Sequence, residues 1–433
     1  MPFFRSLLLL LLLTPAAPVA AYSVLTHQSI IDSTWDRSLL PLLQQRYPGA
    51  TTKQQDLARS YAYGGAIIQD MGYYPLGATI FTDLTHYVRS GDFVRNLLRE
   101  AHDRNEYAFA LGALAHYASD NVGHPEATNL ILPQVYAKPA AKFGSVVTYE
   151  QAPVNHSQIE FCFDVVQVGA GRYRTNTYHK HIGFRVSKPL LKRAFQQTYG
   201  LEVRQLQLSF GLSVGVYRLA VNYVLPLVAR ADLYSKRDKI IAVSPYIRER
   251  AELYHTSSAE EQKKYAEEYD VPGFGARLLS HVLDLLPKVG PLRDYAFELP
   301  DAAGGARFHK SYRDALTYYG TLVKEQPTDT VALVAQLPNT NLDTGRPTRP
   351  TDYILTDVTY DELLRELHKH KFEHLTPALQ QNIQAYFAAG PDPGAPPVRY
   401  TKATEDKQKD SRKNRKYRRQ AQAAFTELQA LKP

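Results

Sequence analysis

The amino-acid sequence predicts a mainly α-helical protein. Long stretches of the 433 residues repeat apolar side chains at the spacing of a helix, and none shows the alternation of a strong strand. No internal repeat is visible in the sequence. We therefore expect a multi-helix domain followed by a helical C-terminal extension. The predicted helical stretches are residues 54–69, 105–121, 186–199, 206–232 and 360–389.

Residues 1–21 are typical of a secretory signal peptide. Arg5 supplies the positive start, an apolar run follows at residues 7–13, and small residues lead up to Tyr22. The run is shorter than the about 20 residues that a membrane-spanning helix needs. We predict cleavage before Tyr22, with cleavage before Ala21 as the alternative, and a secreted or periplasmic mature chain.

The cysteine content indicates that disulfide bonds do not stabilise this protein, although it is predicted to be exported. Cys162 is the only cysteine, so no disulfide can form within the chain. The stability of such a protein has to come from its apolar core or from bound metal.

Changes in composition divide the rest of the chain. We expect a first domain over residues 22–240, a helical extension of unknown role over 241–389, and a Pro/Gly linker with a basic tail over 390–433. Residues 327–352 contain four prolines and predict a long loop.

The formal net charge of +8 is concentrated in the tail. Residues 402–419 hold nine Lys or Arg against three acidic residues, so the rest of the chain is close to neutral. The net charge therefore says little about a substrate. The tail is expected to be solvated and partly helical or disordered, and a contact with an anionic surface is the alternative.

Two helical stretches carry a histidine and an acid at the same spacing. His116 and Asp120 are four residues apart in an apolar stretch, and so are His156 and Glu160. Residues at this spacing lie on one face of a helix, and imidazole and carboxylate are ligands that zinc accepts. One such pair occurs often by chance, but two pairs on separate apolar helices are more specific. His124, four residues after Asp120, is a further ligand or a helix-end histidine.

Three other side chains complete the candidate set. Asp70 ends an apolar stretch before Gly72, where it is a ligand or a helix-end carboxylate. His86 and His27 would each be ordinary buried or surface histidines if they stood alone. Together with the two pairs, they indicate a metal site.

The order of these residues resembles the zinc-dependent phospholipase C family and the related secreted zinc-dependent single-strand nucleases. The resemblance covers roughly residues 22–164. It implies a mainly helical domain in which three zinc ions lie in a cleft, and in which the amine and carbonyl of the mature N-terminal residue chelate one ion. The implied ligands of the first zinc are Asp70, His86, His116 and Asp120. Those of the second are His124, His156 and Glu160, and those of the third are Tyr22 and His27, with Asp120 nearby.

The sequence departs from the usual pattern of these families at three places. They usually begin with Trp, where this chain has Tyr22; since the chelating atoms belong to the backbone, either residue can serve. The gap between Asp120 and His124 is shorter than usual. The last pair ends in Glu160, as in the phospholipases, whereas the nucleases usually carry Asp.

The resemblance implies a zinc-dependent phosphodiester hydrolase, most simply a phospholipase C-like enzyme that cleaves a phospholipid head group by a metal-bound water. In that scheme Asp70 is the catalytic residue, which orients the water or acts as general base. The implied partner is a phospholipid or another phosphodiester, and no protein partner is predicted.

Two other functions fit the same residues. One is a single-strand nuclease or nucleotidase of the same fold, which would need base-stacking aromatic residues beside the metals. The other is a non-catalytic zinc-binding envelope protein. Structural zinc sites are usually cysteine-rich, so a chain with one cysteine favours a catalytic cluster.

Overall fold

The computed structural model of the chain describes residues 24–74, 76–169, 184–206, 210–219, 221, 236–243, 297–326, 337–389 and 411–431. The predicted signal peptide, Tyr22 and the Pro/Gly linker lie outside these residues, as does most of the predicted helix at 206–232.

Helices dominate the described residues, which confirms the mainly α class. The helices are α1 (Val24–Thr34), α2 (Leu40–Arg46), α3 (Thr52–Ile67), α4 (Thr79–Tyr87), α5 (Ser90–Arg99), α6 (Arg104–Gly123), α7 (Asn129–Val135), α8 (Ala137–Phe143), α9 (Pro153–Gly169), α10 (Lys188–Tyr199), α11 (Val203–Leu206), α12 (Phe210–Leu219), α13 (Arg237–Val243), α14 (Ala302–Lys324), α15 (Ile354–Lys369), α16 (Pro377–Ala388) and α17 (Ser411–Ala430). Two π-helical turns, Trp35–Leu39 and His124–Thr128, and a 3₁₀ segment, Ile68–Tyr73, continue α1, α6 and α3 respectively.

Capping side chains set where the central helices α3 and α6 begin. Thr51 accepts a hydrogen bond from the backbone N–H of Gln54, and the Gln54 side chain accepts one from the N–H of Thr51. Asp103 accepts from the first N–H groups of α6. These caps satisfy N–H groups that have no partner within the helix. They explain why α3 and α6 each begin slightly before the predicted bounds.

Helices α3 and α6 cross at glycines. A Cβ atom on Gly112 of α6 would lie 2.0 Å from the carbonyl oxygen of Ala62, and one on Gly65 of α3 would lie 1.9 Å from that of Phe109. Only glycine allows the two backbones to approach this closely. The contact matters for function because α6 carries His116 and Asp120, and Asp70 follows α3 directly.

We expect Gly112→Ala to lower the free energy of unfolding by about 1–3 kcal/mol, because the added methyl group forces the two helices apart. Gly320→Ala in α14 is the matched control, since a Cβ there meets nothing within 4 Å. It should leave stability unchanged or raise it slightly, because alanine favours helix over glycine. Thermal unfolding of both variants checks this, and equal melting temperatures would contradict it.

Helix α14 packs on the domain formed by the earlier helices. The ring of Phe308 stacks on Phe163 of α9 at a centroid distance of 3.8 Å. The hydroxyl of Tyr319 donates to the carbonyl of Leu111 in α6, and the hydroxyl of Tyr312 lies 2.9 Å from Ser29 Oγ in α1. These contacts join the predicted extension to the core. The boundary near residue 240 stays a prediction.

The described part of the predicted loop 327–352 contains a short hairpin. Strands β1 (Thr340–Asn341) and β2 (Arg346–Pro347) pair antiparallel, with Thr340 opposite Pro347. Two residues are too few to show an alternating pattern, so the sequence could not predict these strands. Gly345 closes the turn at φ +66°, a conformation that glycine adopts without strain.

The C-terminal helices also pack against one another. The predicted helical stretch 360–389 contains α15, which starts earlier at Ile354, and α16, which Pro377 begins. Helix α17 contains the end of the basic tail, and its Ala424 and Leu428 are buried. Among the residues that the structure describes, no helix has both the length and the apolar composition to cross a membrane.

Candidate metal centre

Six separate elements bring the predicted metal-binding side chains to one place. His27 lies on α1, Asp70 on the 3₁₀ segment, His86 on α4, and His116 and Asp120 on α6. His124 begins the π-helical turn after α6, and His156 and Glu160 lie on α9. Each of these side chains belongs to a residue that is at most 2% exposed. Tyr22 lies outside the described residues.

The predicted ligands of the first zinc form a compact group. The Nε2 atoms of His86 and His116 are 3.2 Å apart, and His116 Nε2 is 3.1 Å from Asp120 Oδ2. Asp70 Oδ1 lies 3.4 Å from His86 Nε2 and 3.9 Å from His116 Nε2. Ligand atoms on a tetrahedral zinc with bonds of about 2.0–2.1 Å are about 3.3 Å apart. The four side chains therefore have the spacing of a zinc site.

His27 shares both carboxylates with this group. Its Nε2 atom lies 3.3 Å from Asp120 Oδ1 and 3.9 Å from Asp70 Oδ2. Each carboxylate thus turns one oxygen toward His27 and the other toward His86 and His116. Asp70 and Asp120 would therefore both be available to hold a cation beside His27 and one beside His86 and His116.

Asp164 holds the start of α1 beside α9. Its carboxylate accepts hydrogen bonds from the backbone N–H groups of Leu25 and Thr26 and from the Thr26 hydroxyl. A carboxylate at this position also interacts favourably with the helix dipole. This contact fixes the position of α1 and therefore of His27 in the cluster. The role of Asp164 was not predicted from the sequence.

The second predicted group lies just beyond the C-terminal end of α6. The rings of His124 and His156 stack at a centroid distance of 4.9 Å, and His124 Nδ1 is 3.2 Å from His156 Nε2. Glu160 Oε1 lies 2.8 Å from His156 Nδ1 and 4.0 Å from His124 Nδ1. His124 Nε2 is 3.9 Å from Asp120 Oδ2, so the two groups are adjacent.

A π-helical turn positions His124. Helix α6 runs to Gly123 and then widens over His124–Thr128, where Pro125 has no N–H to donate. The structure therefore brings His124 into the cluster despite the short gap after Asp120.

Hydrogen bonds orient three of the imidazole rings. The Nδ1 atom of His86 lies 2.8 Å from the carbonyl oxygen of Thr82, and that of His116 lies 3.0 Å from the carbonyl oxygen of Ala66. His27 Nδ1 is 2.9 Å from Ser119 Oγ. A carbonyl oxygen can only accept, so Nδ1 of His86 and of His116 carries a proton. Their Nε2 atoms face the cluster, where each can bind a cation once it carries no proton. Metal-binding histidines typically have such a partner on their other nitrogen.

The carboxylates of the cluster lack ordinary hydrogen bonds. Among the described residues, both oxygens of Asp70, Asp120 and Glu160 accept no hydrogen bond of normal geometry. Buried carboxylates left in this state are costly unless a cation neutralises them. The donor set, made of imidazole nitrogens and carboxylate oxygens without thiolate, fits zinc in an open site rather than a cysteine-rich structural one.

The pKa values of the cluster reflect burial and close carboxylates. Burial lowers the pKa of His27, and His116 lowers it further, which keeps the ring neutral. Burial also opposes the charged form of His86, but the nearby carboxylates of Asp120 and Asp70 outweigh it and raise the pKa of His86 to about 10. Burial raises the pKa of Asp70. A metal that binds here competes with protons for His86.

The comparison with known families agrees with this geometry. Residues 26–207 match the family model described as zinc dependent phospholipase C. This segment belongs to the zinc-dependent phospholipase C family. The predicted family is therefore confirmed, and the match includes every described side chain of the predicted set. No curated protein and no solved structure matches the chain.

One residue outside the phospholipase C domain also lies in the cluster. Asp343, in the turn between β1 and β2, is 2% exposed. Its Oδ1 atom lies 3.0 Å from His124 Nδ1 and 3.3 Å from His156 Nε2. Its other oxygen accepts hydrogen bonds from the Tyr353 hydroxyl at 2.7 Å and from the backbone N–H of Tyr149 at 2.9 Å.

The sequence analysis missed Asp343 because the residue stands alone in a predicted loop, far along the chain from the phospholipase C domain. It is part of no histidine pair and of no helical face. The local signal is a turn sequence, in which the Asn341 side chain accepts from the backbone N–H groups of Asp343 and Thr344. Such turns are common on protein surfaces, so this one does not indicate a buried site.

Proposed function

We propose that the chain is a zinc-dependent phosphodiesterase that cleaves a phospholipid head group, as its family implies. The observation that carries the proposal is the convergence of His86, His116, Asp70 and Asp120 at zinc-like spacing inside a phospholipase C domain. A buried cluster of imidazoles and unbonded carboxylates has no evident role in folding alone. We propose three zinc ions, with His27 and the backbone of Tyr22 holding the third.

Zinc, when bound, supplies a Lewis acid that polarises a phosphoryl oxygen and lowers the pKa of water. The protein fixes the positions and orientations of the side chains that would hold the zinc. The carbonyls of Thr82 and Ala66 fix the rings of His86 and His116, so that their Nε2 atoms face the shared acids. Asp120 would remain ionised, because the neighbouring His116 ring outweighs its burial and holds the pKa of its carboxyl well below the usual range.

We assign Asp70 the role of orienting the attacking water or accepting its proton. Both of its oxygens are buried and accept no hydrogen bond of normal geometry among the described residues. Burial raises the pKa of this carboxyl above its ordinary value. A carboxylate with a raised pKa accepts a proton more readily than one in water.

A phospholipid is favoured over a single-stranded nucleic acid by the aromatic residues beside the cluster. Tyr73 packs against His86 and Tyr149 against His156, with centroid distances of 6.1 and 5.6 Å. These two tyrosines are 1% and 6% exposed, so neither offers an open face for stacking a base. A nuclease remains the second candidate because it would use the same metal chemistry.

Activity assays with matched variants test the proposal. We expect zinc-loaded protein to release the phosphorylated head group of a choline phospholipid and to leave single-stranded DNA intact. The double variant His116→Ala/His156→Ala should lose on the order of 1,000-fold in rate, since both metal groups lose a ligand. His102→Ala is the control, because His102 is exposed and lies outside the cluster.

Three results would change the conclusion. Cleavage of DNA alone would point to the nuclease, and zinc binding without either activity would favour a non-catalytic protein. Full activity in the double variant would overturn the metal mechanism.

Mass spectrometry of the same sample reads the mature N-terminal residue and tests whether Tyr22 is exposed by cleavage.

We also propose that the protein is exported to the periplasm or secreted. The support is the charged start, apolar run and small residues of the first 21 positions. The basic residues of the tail suit a contact with an anionic membrane surface, which would hold the enzyme near a phospholipid substrate.

A further inference from the structure

We infer that Asp343 is a metal ligand supplied from outside the phospholipase C domain, and that the second metal thereby joins the hairpin to that domain. The inference rests on the zinc binding of the proposed function, but not on phosphodiester hydrolysis.

The geometry of three atoms points to a ligand. His124 Nδ1, His156 Nε2 and Asp343 Oδ1 form a triangle with sides of 3.2, 3.0 and 3.3 Å. These sides match the separation of about 3.3 Å between ligand atoms on a tetrahedral zinc. The group is as compact as the one formed by His86, His116 and Asp120.

The two oxygens of Asp343 have different surroundings. Oδ2 accepts from the Tyr353 hydroxyl and from the N–H of Tyr149, which fixes the carboxylate plane. Oδ1 faces the two imidazoles and accepts no hydrogen bond of normal geometry among the described residues. Ligating carboxylates are typically held in this way, with one oxygen toward the metal and the other bonded to the protein.

The hairpin that carries Asp343 is anchored on several sides. The Leu342 N–H donates to the carbonyl of His86, and the Asn129 side chain donates to the carbonyl of Asp343. The Ser90 hydroxyl donates to the carbonyl of Thr340. Leu342 is fully buried. These hydrogen bonds hold the turn in place as part of the site.

Asp343 changes which side chains would hold the second metal. Glu160 Oε1 lies 2.8 Å from His156 Nδ1, whereas Asp343 Oδ1 lies 3.3 Å from the other nitrogen of the same ring, Nε2. The side-chain oxygen of Asn129 is also 3.0 Å from this Nε2. Since one imidazole offers a single nitrogen to a given ion, an ion at Nε2 would be held by His124, His156 and Asp343, and Glu160 would orient the ring through Nδ1. Such an ion would join the hairpin to the phospholipase C domain.

The test measures zinc per chain in full-length variants dialysed against a series of chelator concentrations. Asp343→Asn keeps the shape of the side chain and an oxygen for Tyr353 and Tyr149, but presents an amide nitrogen to the imidazoles. We expect it to lose one zinc per chain, with an affinity for that ion weakened at least about 100-fold. Ser90→Ala, which removes an anchor of the hairpin without touching a ligand, should keep every ion.

Tyr353→Phe provides a second test if the asparagine variant does not fold. It removes the hydrogen bond that orients Asp343 but leaves the carboxylate in place. We expect the affinity for the same ion to fall about 10-fold. Circular dichroism confirms that each variant is helical.

The possible outcomes separate the two proposals. Equal zinc content and affinity in wild type, Asp343→Asn and Tyr353→Phe would overturn the ligand role and leave the proposed function intact. If, in addition, the rate of phosphodiester hydrolysis were higher in Asp343→Asn than in wild type, the role of the Asp343 carboxylate would be to block access to the metal site. A wild-type chain that binds no zinc would overturn both proposals together.

Discussion

Asp120→Asn is expected to remove zinc from two groups at once and to lower phosphodiester hydrolysis on the order of 1,000-fold or more. Asp120 turns Oδ1 toward His27 at 3.3 Å and Oδ2 toward His116 at 3.1 Å. Asparagine has the same shape, but it carries no charge and replaces one ligand oxygen with an NH₂ group. Of the two carboxylates that lie between His27 and the His86–His116 pair, only Asp70 would remain.

Zinc counting and kinetics check this expectation. Of the three proposed ions, we expect Asp120→Asn to retain only the one held by His124 and His156. Asp92→Asn is the control, because Asp92 is also a buried helical acid but pairs with Arg89 away from the cluster. The control should lose stability and keep its zinc. If Asp120→Asn kept both its zinc and its activity, the shared-ligand assignment would be wrong.

Removal of zinc is expected to lower the melting temperature by at least about 10 °C. The carboxylates of Asp70, Asp120, Glu160 and Asp343 are buried together, and without cations they repel one another. A ligand present at about 1,000 times its dissociation constant stabilises the folded state by about 4 kcal/mol per ion. In a protein of this size each kcal/mol shifts the melting temperature by roughly 2–4 °C or less.

Calorimetry of chelated and zinc-reloaded protein measures the shift. Zinc should restore the original melting temperature, whereas magnesium should not, because magnesium prefers oxygen ligands. The His116→Ala/His156→Ala variant should respond much less to the chelator than wild type does. Identical melting temperatures for chelated and reloaded wild-type protein would show that the cluster holds no ion that matters for folding.

Local patterns allowed much of the fold and the site to be predicted. Helical spacing placed His116 with Asp120 and His156 with Glu160, because residues four apart share one face of a helix whatever the rest of the chain does. The same periodicity gave the class and the approximate positions of α3, α6 and α10. Helix ends were less certain, since they depend on caps such as Asp103 and Thr51.

Long-range contacts could not be predicted in the same way. Asp343 meets His124 and His156 only because a turn inserts between helices distant in sequence. Asp164 joins α1 to α9 through backbone N–H groups, which leave no mark in the pattern of side chains. The close crossing at Gly65 and Gly112 likewise depends on the pairing of two helices rather than on either one alone.

The position of Asp343 in the chain has a consequence for biosynthesis. His124 and His156 precede the hairpin in the chain, so a chain that stops short of the hairpin contains the two imidazoles without this carboxylate. The family segment ends at residue 207, and any fragment released at that point lacks it permanently. With Asp343 as the proposed ligand, this centre is complete only in a chain that extends past residue 343, so truncation before the hairpin is expected to deprive an early domain of one of its ligands.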